Sequence, residues 1–183
     1  MSLDSQLAHD ASTPDGLVKA VVHDVMDTIK GDAPLQGDRK KISAMMDQKI
    51  WPYVDLQRTM RLCVGSHWLV ATPDQRHYIV EQFKKLLIER YAGDLVQIGD
   101  QRVDYKPLRA TPDATDVVVE SKMVGNRRPV SVAYRVAKTA SGWRIYDLSM
   151  REVWMVVTYQ RLFAEQMNRN GILGLIGFLR DLD

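Results

Sequence analysis

Cysteine occurs once in this 183-residue chain, at Cys63, so no intramolecular disulfide can form. Thiol count therefore says nothing about redox compartment. Cys63 lies between Leu62 and Val64 in an expected helix and reads as a small buried hydrophobe. Long apolar runs are missing too: none approaches the ~18 residues that a membrane-spanning helix needs. No charged-then-apolar leader opens the chain. Met1-Ser2-Leu3 before a polar stretch is read as a remnant standing where a secretory signal was removed, and residues 1–12, His9 among them, as a disordered start. Charge of one sign is scarce. A formal net charge of +2 excludes an argument for nucleic acid, and the short basic groups Arg39-Lys40-Lys41 and Arg127-Arg128 read as solvated faces.

Recognisable catalytic motifs are also absent. There is no phosphate-cradling glycine loop, no Gly-x-Ser-x-Gly elbow and no paired-cysteine metal motif. His77 and Glu81 stand four residues apart on one helix, a spacing that presents two metal ligands, but two ligands do not complete a site. His23 and Asp24 are adjacent and diverge on a helix. His67 stands alone beside Trp68, and Tyr146-Asp147 on a strand are expected on opposite faces. Nothing assembles a nucleophile, a base and an oxyanion donor.

What is present is ordinary in bulk and patterned in detail. A hydrophobic fraction of 45% and a charged fraction of 26% suit a globular protein. The length suits a single domain over residues 13–183, with room for a small helical lobe and a core that needs no staples. Thr13-Pro14-Asp15 is a helix start, and Leu17, Val21, Val25 and Ile29 follow at spacing four until Gly31. Residues 38–50 carry Ile42, Met45, Met46 and Ile50 on one side, and Trp51-Pro52 breaks that helix. A short helix over 55–64 stops at Gly65. Thr72-Pro73-Asp74-Gln75 has the form of a capping box, opening a long amphipathic helix with Ile79, Phe83, Leu86, Leu87 and Tyr91 as its stripe.

After Gly99 the period changes to two. Val103 and Tyr105, then Val117, Val119 and Met123, then Val130, Val132, Tyr134 and Val136, then Gly142 to Leu148 read as four strands separated by turn residues. The pattern turns helical again over 153–167, and after Gly171 through Ile172, Leu175, Ile176 and Leu179. Helices, then strands, then helices predict an α+β domain: a twisted antiparallel four-stranded sheet packed by helices from both chain ends.

Two blocks of residues resemble one known family. The first runs Asp55-Leu56, Gly65-Ser66-His67-Trp68, Ala71-Thr72-Pro73-Asp74-Gln75-Arg76, Phe83, Leu86-Leu87 and Tyr91. The second runs Tyr134-Arg135, Gly142-Trp143-Arg144-Ile145-Tyr146-Asp147-Leu148, Tyr159, Phe163, Gly171, Gly174-Leu175-Ile176 and Leu179. In order and spacing these are similar to the MlaC proteins, also called toluene-tolerance auxiliary proteins, over about Leu17 to Leu179. Two positions depart from the family pattern. Arg151-Glu152 stands where a Glu-Gly pair is common, which bears on the local turn because glycine marks positive φ. Gln160 stands where an arginine usually follows the tyrosine.

The resemblance implies a periplasmic phospholipid-binding component of the Mla transport system. Its implied partners are a phospholipid, an inner-membrane ABC transporter complex and an outer-membrane lipoprotein complex. It also implies an apolar cavity between sheet and helices, with no catalytic residues, no metal and no cofactor beyond the lipid cargo. A monomer is expected, since a shuttle has to leave both membranes, and the expected compartment is the periplasm with its signal peptide taken as removed.

The physical need is clear. Burying one methylene is worth roughly 0.8 kcal/mol, so exposing about 30 of them costs on the order of 24 kcal/mol. The walls expected to hold the acyl tails are Phe83, Leu87 and Tyr91 of the long helix, Val119, Tyr134 and Ile145 of the sheet, and Trp154, Met155, Phe163, Leu175, Ile176 and Leu179 near the C-terminus. Nine methionines add adaptable filling. Two rival readings stand beside this one. The first is a small α+β enzyme using His67 or His23 as base. The second is a structural interaction domain whose core is filled.

Overall fold

The computed structural model describes residues 10–31 and 37–182; the reading of residues 1–9, with Met1-Ser2-Leu3 and His9, lies outside the described residues. The described chain begins at Asp10, and Ala11 is already buried in the core, so ordered packing starts before position 13. Thr13 Oγ1 accepts from the Gly16 amide at 3.2 Å and opens α1, Pro14–Gly31. Its Leu17, Val18, Val21, Val25 and Ile29 are buried. Asp38 caps α2, Arg39–Lys49, by accepting from the Lys40 and Lys41 amides. The 3₁₀ turn Trp51–Tyr53 then breaks the path at proline.

Asp55 caps α3, Leu56–Val64, which ends at Gly65 with φ 73°. A further short helix, α4, Ser66–Val70, was not expected from the sequence. Next comes α5, Pro73–Gln97, opened by the full capping box: Thr72 Oγ1 accepts from the Gln75 amide, and the Gln75 side chain accepts from the Thr72 amide.

The strands β1 (Arg102–Tyr105), β2 (Asp116–Val124), β3 (Val130–Thr139) and β4 (Gly142–Met150) form the expected antiparallel meander. A fifth strand joins it. Val153–Trp154, which the sequence reading placed in a helix, is β5 and pairs with Ser149 and Met150. The reason is the turn: Arg151 and Glu152 both adopt positive φ, 51° and 67°, the geometry that a two-residue hairpin demands.

Alternation is clean along β2, where Val117, Val119, Ser121 and Met123 point inward. It fails along β4. The register shifts between Arg135 and Val136, so that Arg135 faces Asp147 while Val136 faces Ile145, and Tyr146 bulges. Trp143 through Asp147 are all buried.

The last element is α6, Met155–Arg180, which is two helices joined at a kink where Asn170 and Gly171 leave helical geometry, as the break at Gly171 led one to expect. Gly171 takes φ 53°. The chain folds back so tightly there that a Cβ on Gly174 would lie 2.2 Å from the Gln166 carbonyl oxygen. Two apolar clusters result. One lies between the inner sheet face and α1 and α2; the other lies among α3, α4, α5 and α6.

Candidate functional site

The sheet-side cluster does not close. A cavity of about 380 Å³ lies between the sheet, α1, α2, α5 and the start of α6. That volume falls within the range of small-molecule sites, about 300–1,000 Å³. The walls follow from the local patterns already described. The α1 stripe contributes Val21 and Val25; α2 contributes Ile42 and Met46. From α5 come Leu87, Ile88, Tyr91 and Leu95, and from the sheet Met123, Val132, Tyr134, Ile145 and Met150. Trp51 and Val54, at the proline break, fill the corner beside α3, and Met155 closes the wall from α6. Two lining residues are exposed, Asp94 on α5 and Val153 on β5, so the cavity meets solvent at these elements.

Two of the polar groups in the wall, Thr59 and Asp147, are engaged by the backbone. Thr59 donates its hydroxyl to the Tyr146 carbonyl at 2.7 Å and lies near the Asp55 carbonyl at 3.1 Å. Asp147 Oδ1 accepts from the Leu148 amide at 2.8 Å and the Val156 amide at 3.0 Å, which fastens the first turn of α6 to β4. Burial raises the Asp147 carboxyl above the ordinary carboxylate value, with these amides and Arg135 pulling the other way. Burial also pushes the Tyr134 hydroxyl above the usual phenol range. Such a lining offers hydrocarbon a dry surface and few groups to grip a polar ligand.

Of the twelve residues expected as walls, Leu87, Tyr91, Tyr134, Ile145 and Met155 border the cavity. Seven do not. Phe83, Phe163, Leu175 and Leu179 are in the helical cluster with at most 1% exposure, and Ile176 packs against them. There the rings of Phe83, Tyr159 and Phe163 meet at centroid distances of 5.1 to 6.1 Å, so the space is filled. Val119 belongs to the sheet-side cluster away from the hollow, and Trp154 lies under the Arg135 guanidinium at 4.3 Å.

Sequence reasoning missed the contributions of α1, α2, Trp51, Val54, Ile88, Leu95, Met123, Val132 and Met150. The spacing-four stripe of α1 and the one-sided apolar face of α2 were the available signals. Neither His23, His67 nor His77 borders the cavity. His23 pairs with Asp27 at 3.1 Å on the exposed side of α1. Cys63 is buried, its thiol pushed up to about 12 by desolvation and Asp147. Among the described residues no three metal-ligating side chains gather, and no helix is long and apolar enough to cross a membrane.

A five-stranded meander wrapped on one side by helices and holding a hydrocarbon-lined hollow defines a class: an α+β protein built to enclose an apolar ligand. Comparison makes this specific. The MlaC protein family matches residues 19–181, and the chain belongs to that family. It is 22% identical over 164 residues to the toluene tolerance protein ttg2D of Pseudomonas putida, covering 88% of this chain and 76% of that one. It is 20% identical over 146 residues to the intermembrane phospholipid transport system binding protein MlaC of Haemophilus influenzae, covering 78% and 68%. Among solved structures, the phospholipid-binding protein from Ralstonia solanacearum in complex with a phospholipid superposes with a TM-score of 0.89. That match has 43% identity and covers 92% of this chain and 95% of that one.

Proposed function

We propose that this protein is a soluble, non-catalytic periplasmic carrier that shields the acyl tails of a phospholipid during transport by an Mla-type system. The observation that carries the reading is the hollow itself, lined from five elements by aliphatic and aromatic side chains, in a fold whose relative from Ralstonia solanacearum is described in complex with a phospholipid. Carriage needs only balance. A cavity about as dry as a bilayer interior lets lipid exchange run either way, because the transfer cost of ~0.8 kcal/mol per methylene cancels between the two environments. The scarcity of polar groups in the wall suits tails, which offer nothing for a polar group to select.

The finer picture belongs to the same proposal. Residues 13–183, extended to Asp10 by the burial of Ala11, form one lipid-binding domain that works as a monomer in the periplasm once its signal peptide is removed. It takes lipid between an outer-membrane lipoprotein complex and an inner-membrane ABC transporter complex. Leu87, Tyr91, Tyr134, Ile145 and Met155 touch the tails. The headgroup sits in water near Asp94 and Val153.

Organic extraction of the purified protein followed by mass spectrometry tests the reading directly. Stoichiometric phospholipid is the expected result, and a clean extract from well-folded protein overturns it. Leu87→Glu places a carboxylate on the wall and lowers lipid occupancy by at least about tenfold, about 1.4 kcal/mol or more of binding. Full occupancy in a folded Leu87→Glu variant refutes the wall assignment.

A further inference from the structure

The opposite, outer face of the sheet carries a second concavity, of about 1000 Å³, where β2, β3 and β4 meet the segment that follows β1. Lys106, Arg109, Asp116, Val118, Glu120 and Arg135 are among the residues that line it. Its charges are unequally satisfied. Asp116 receives the Arg58 guanidinium at 3.0 Å and the Tyr146 hydroxyl at 2.8 Å, and Glu120 faces Lys106 at 3.8 Å.

Arg135 makes no close ion pair among the described residues, and the Asp147 carboxyl acts on it only at longer range. Its guanidinium stacks on Trp154 at 4.3 Å, and its buried Nε makes no hydrogen bond among the described residues. A guanidinium held flat by an aromatic ring, with its Nε unused, is preorganised for a planar anion. A buried donor without an acceptor is also a cost that a ligand can remove. Arg109, exposed on the same groove, has no ion pair among the described residues.

We propose that this groove binds an acidic segment of a partner protein, with Arg135 receiving a carboxylate. The groove's other features select that partner class. Asp116 and Glu120 repel any extended polyanionic surface, a nucleic acid or an anionic bilayer alike. A peptide can thread one carboxylate to Arg135 while laying an apolar side chain on Val118, which is 43% exposed. The groove also shares a wall with the lipid cavity: Tyr146 borders both, and Trp154 under Arg135 is flanked by Val153 and Met155 of the cavity lining. A partner seated here is beside the hollow without obstructing it. The site goes beyond lipid carriage and does not depend on it.

The test titrates the isotope-labelled full chain, as purified, with a short end-capped peptide that carries one glutamate flanked by leucines, reading the Arg135 Nε–H and Trp154 indole N–H resonances. Saturable shifts in both are expected, weakening as salt rises. In Arg135→Gln the indole response becomes at least about tenfold weaker, while Arg39→Gln, which removes a cation that does not line the groove, leaves it unchanged. Should Arg135→Gln fail to fold, Arg109→Gln is expected to weaken the same response. No saturable shift, or equal weakening in Arg39→Gln, overturns the proposal. Inorganic phosphate acting at the same concentration as the peptide overturns it too, in favour of a site for a bare anion. Lipid extracted from the same samples reports separately on the carrier reading.

Discussion

The two apolar clusters of this protein are made from similar residues and do different things. Among α3, α4, α5 and α6, aromatic rings meet edge to face and the largest side chains are fully buried. Between the sheet, α1 and α2 the lining is mostly aliphatic and leaves about 380 Å³ open. On the scale of engineered core cavities, a sealed and dry void of that size costs roughly 9 kcal/mol as an upper bound. That is comparable with the whole stability of an ordinary domain, about 5–15 kcal/mol. The filled half carries no such cost, and the hollow half supplies the capacity.

Phe163→Ala is the hardest strike at the filled half and the largest expected effect. Phe163 is fully buried against Phe83 and Tyr159, so truncation destabilises by about 3–5 kcal/mol in urea unfolding. Lipid bound per folded molecule stays unchanged, because Phe163 does not border the hollow. Lost occupancy with unaltered stability would reverse the roles assigned to the two clusters.

Removing the lipid probes the hollow half. A ligand that binds only the folded state stabilises it by about 3–4 kcal/mol when present at 100 to 1,000 times its dissociation constant. Delipidated protein is expected to lose that much in thermal unfolding. Amide exchange should quicken on α1, α2 and the inner strands before it quickens on α3 and the first half of α6. Uniform quickening would mean that the two clusters unfold as one.

Asp147 ties the halves together, and its removal comes next in size. Asp147→Ala leaves the Val156 amide without its acceptor at the head of α6 and costs about 1–3 kcal/mol. Asp147→Asn keeps an acceptor oxygen and costs less. The pH dependence has a definite sign. Burial raises the folded-state value of this carboxyl, so the folded protein binds the proton at higher pH than the unfolded chain. The group's contribution is most favourable below the unfolded carboxylate value and is lost as pH rises through the raised folded value. Urea unfolding from neutral pH down to about 4 should show this slope in the parent and not in Asp147→Asn. Identical slopes in both remove Asp147 from the account.

Much of this architecture was legible in the order of residues, and the contrast between the clusters was not. The capping box at Thr72 and Gln75, the cap at Thr13 and the period change after Gly99 are local, and local chemistry decides them. Whether an apolar stripe borders a void or a neighbour is decided by elements distant in sequence. Phe83 and Leu87 share one stripe of α5, yet only Leu87 reaches the hollow. The bulge at Tyr146 hides for the same reason, since it exists only relative to the register of β3. The strand β5 escaped because Arg151-Glu152 lacks the glycine that announces a tight hairpin.

That same turn gives the finest test of the comparison. Arg151 and Glu152 hold φ of 51° and 67° between β4 and β5, a conformation glycine adopts at little steric cost and a Cβ opposes. Glu152 is exposed. Glu152→Gly therefore relieves strain at position 152 while giving the unfolded chain more freedom, for a net gain of no more than about 0.5–1 kcal/mol. The residue adjoins Val153 on the rim of the hollow, so the substitution changes the hollow half's frame without touching its lining. Raised stability with unchanged lipid occupancy places the strain in the backbone alone. Raised stability with altered occupancy would mean that the stiffness of this hairpin, and not only the apolar wall behind it, governs how the hollow holds its lipid.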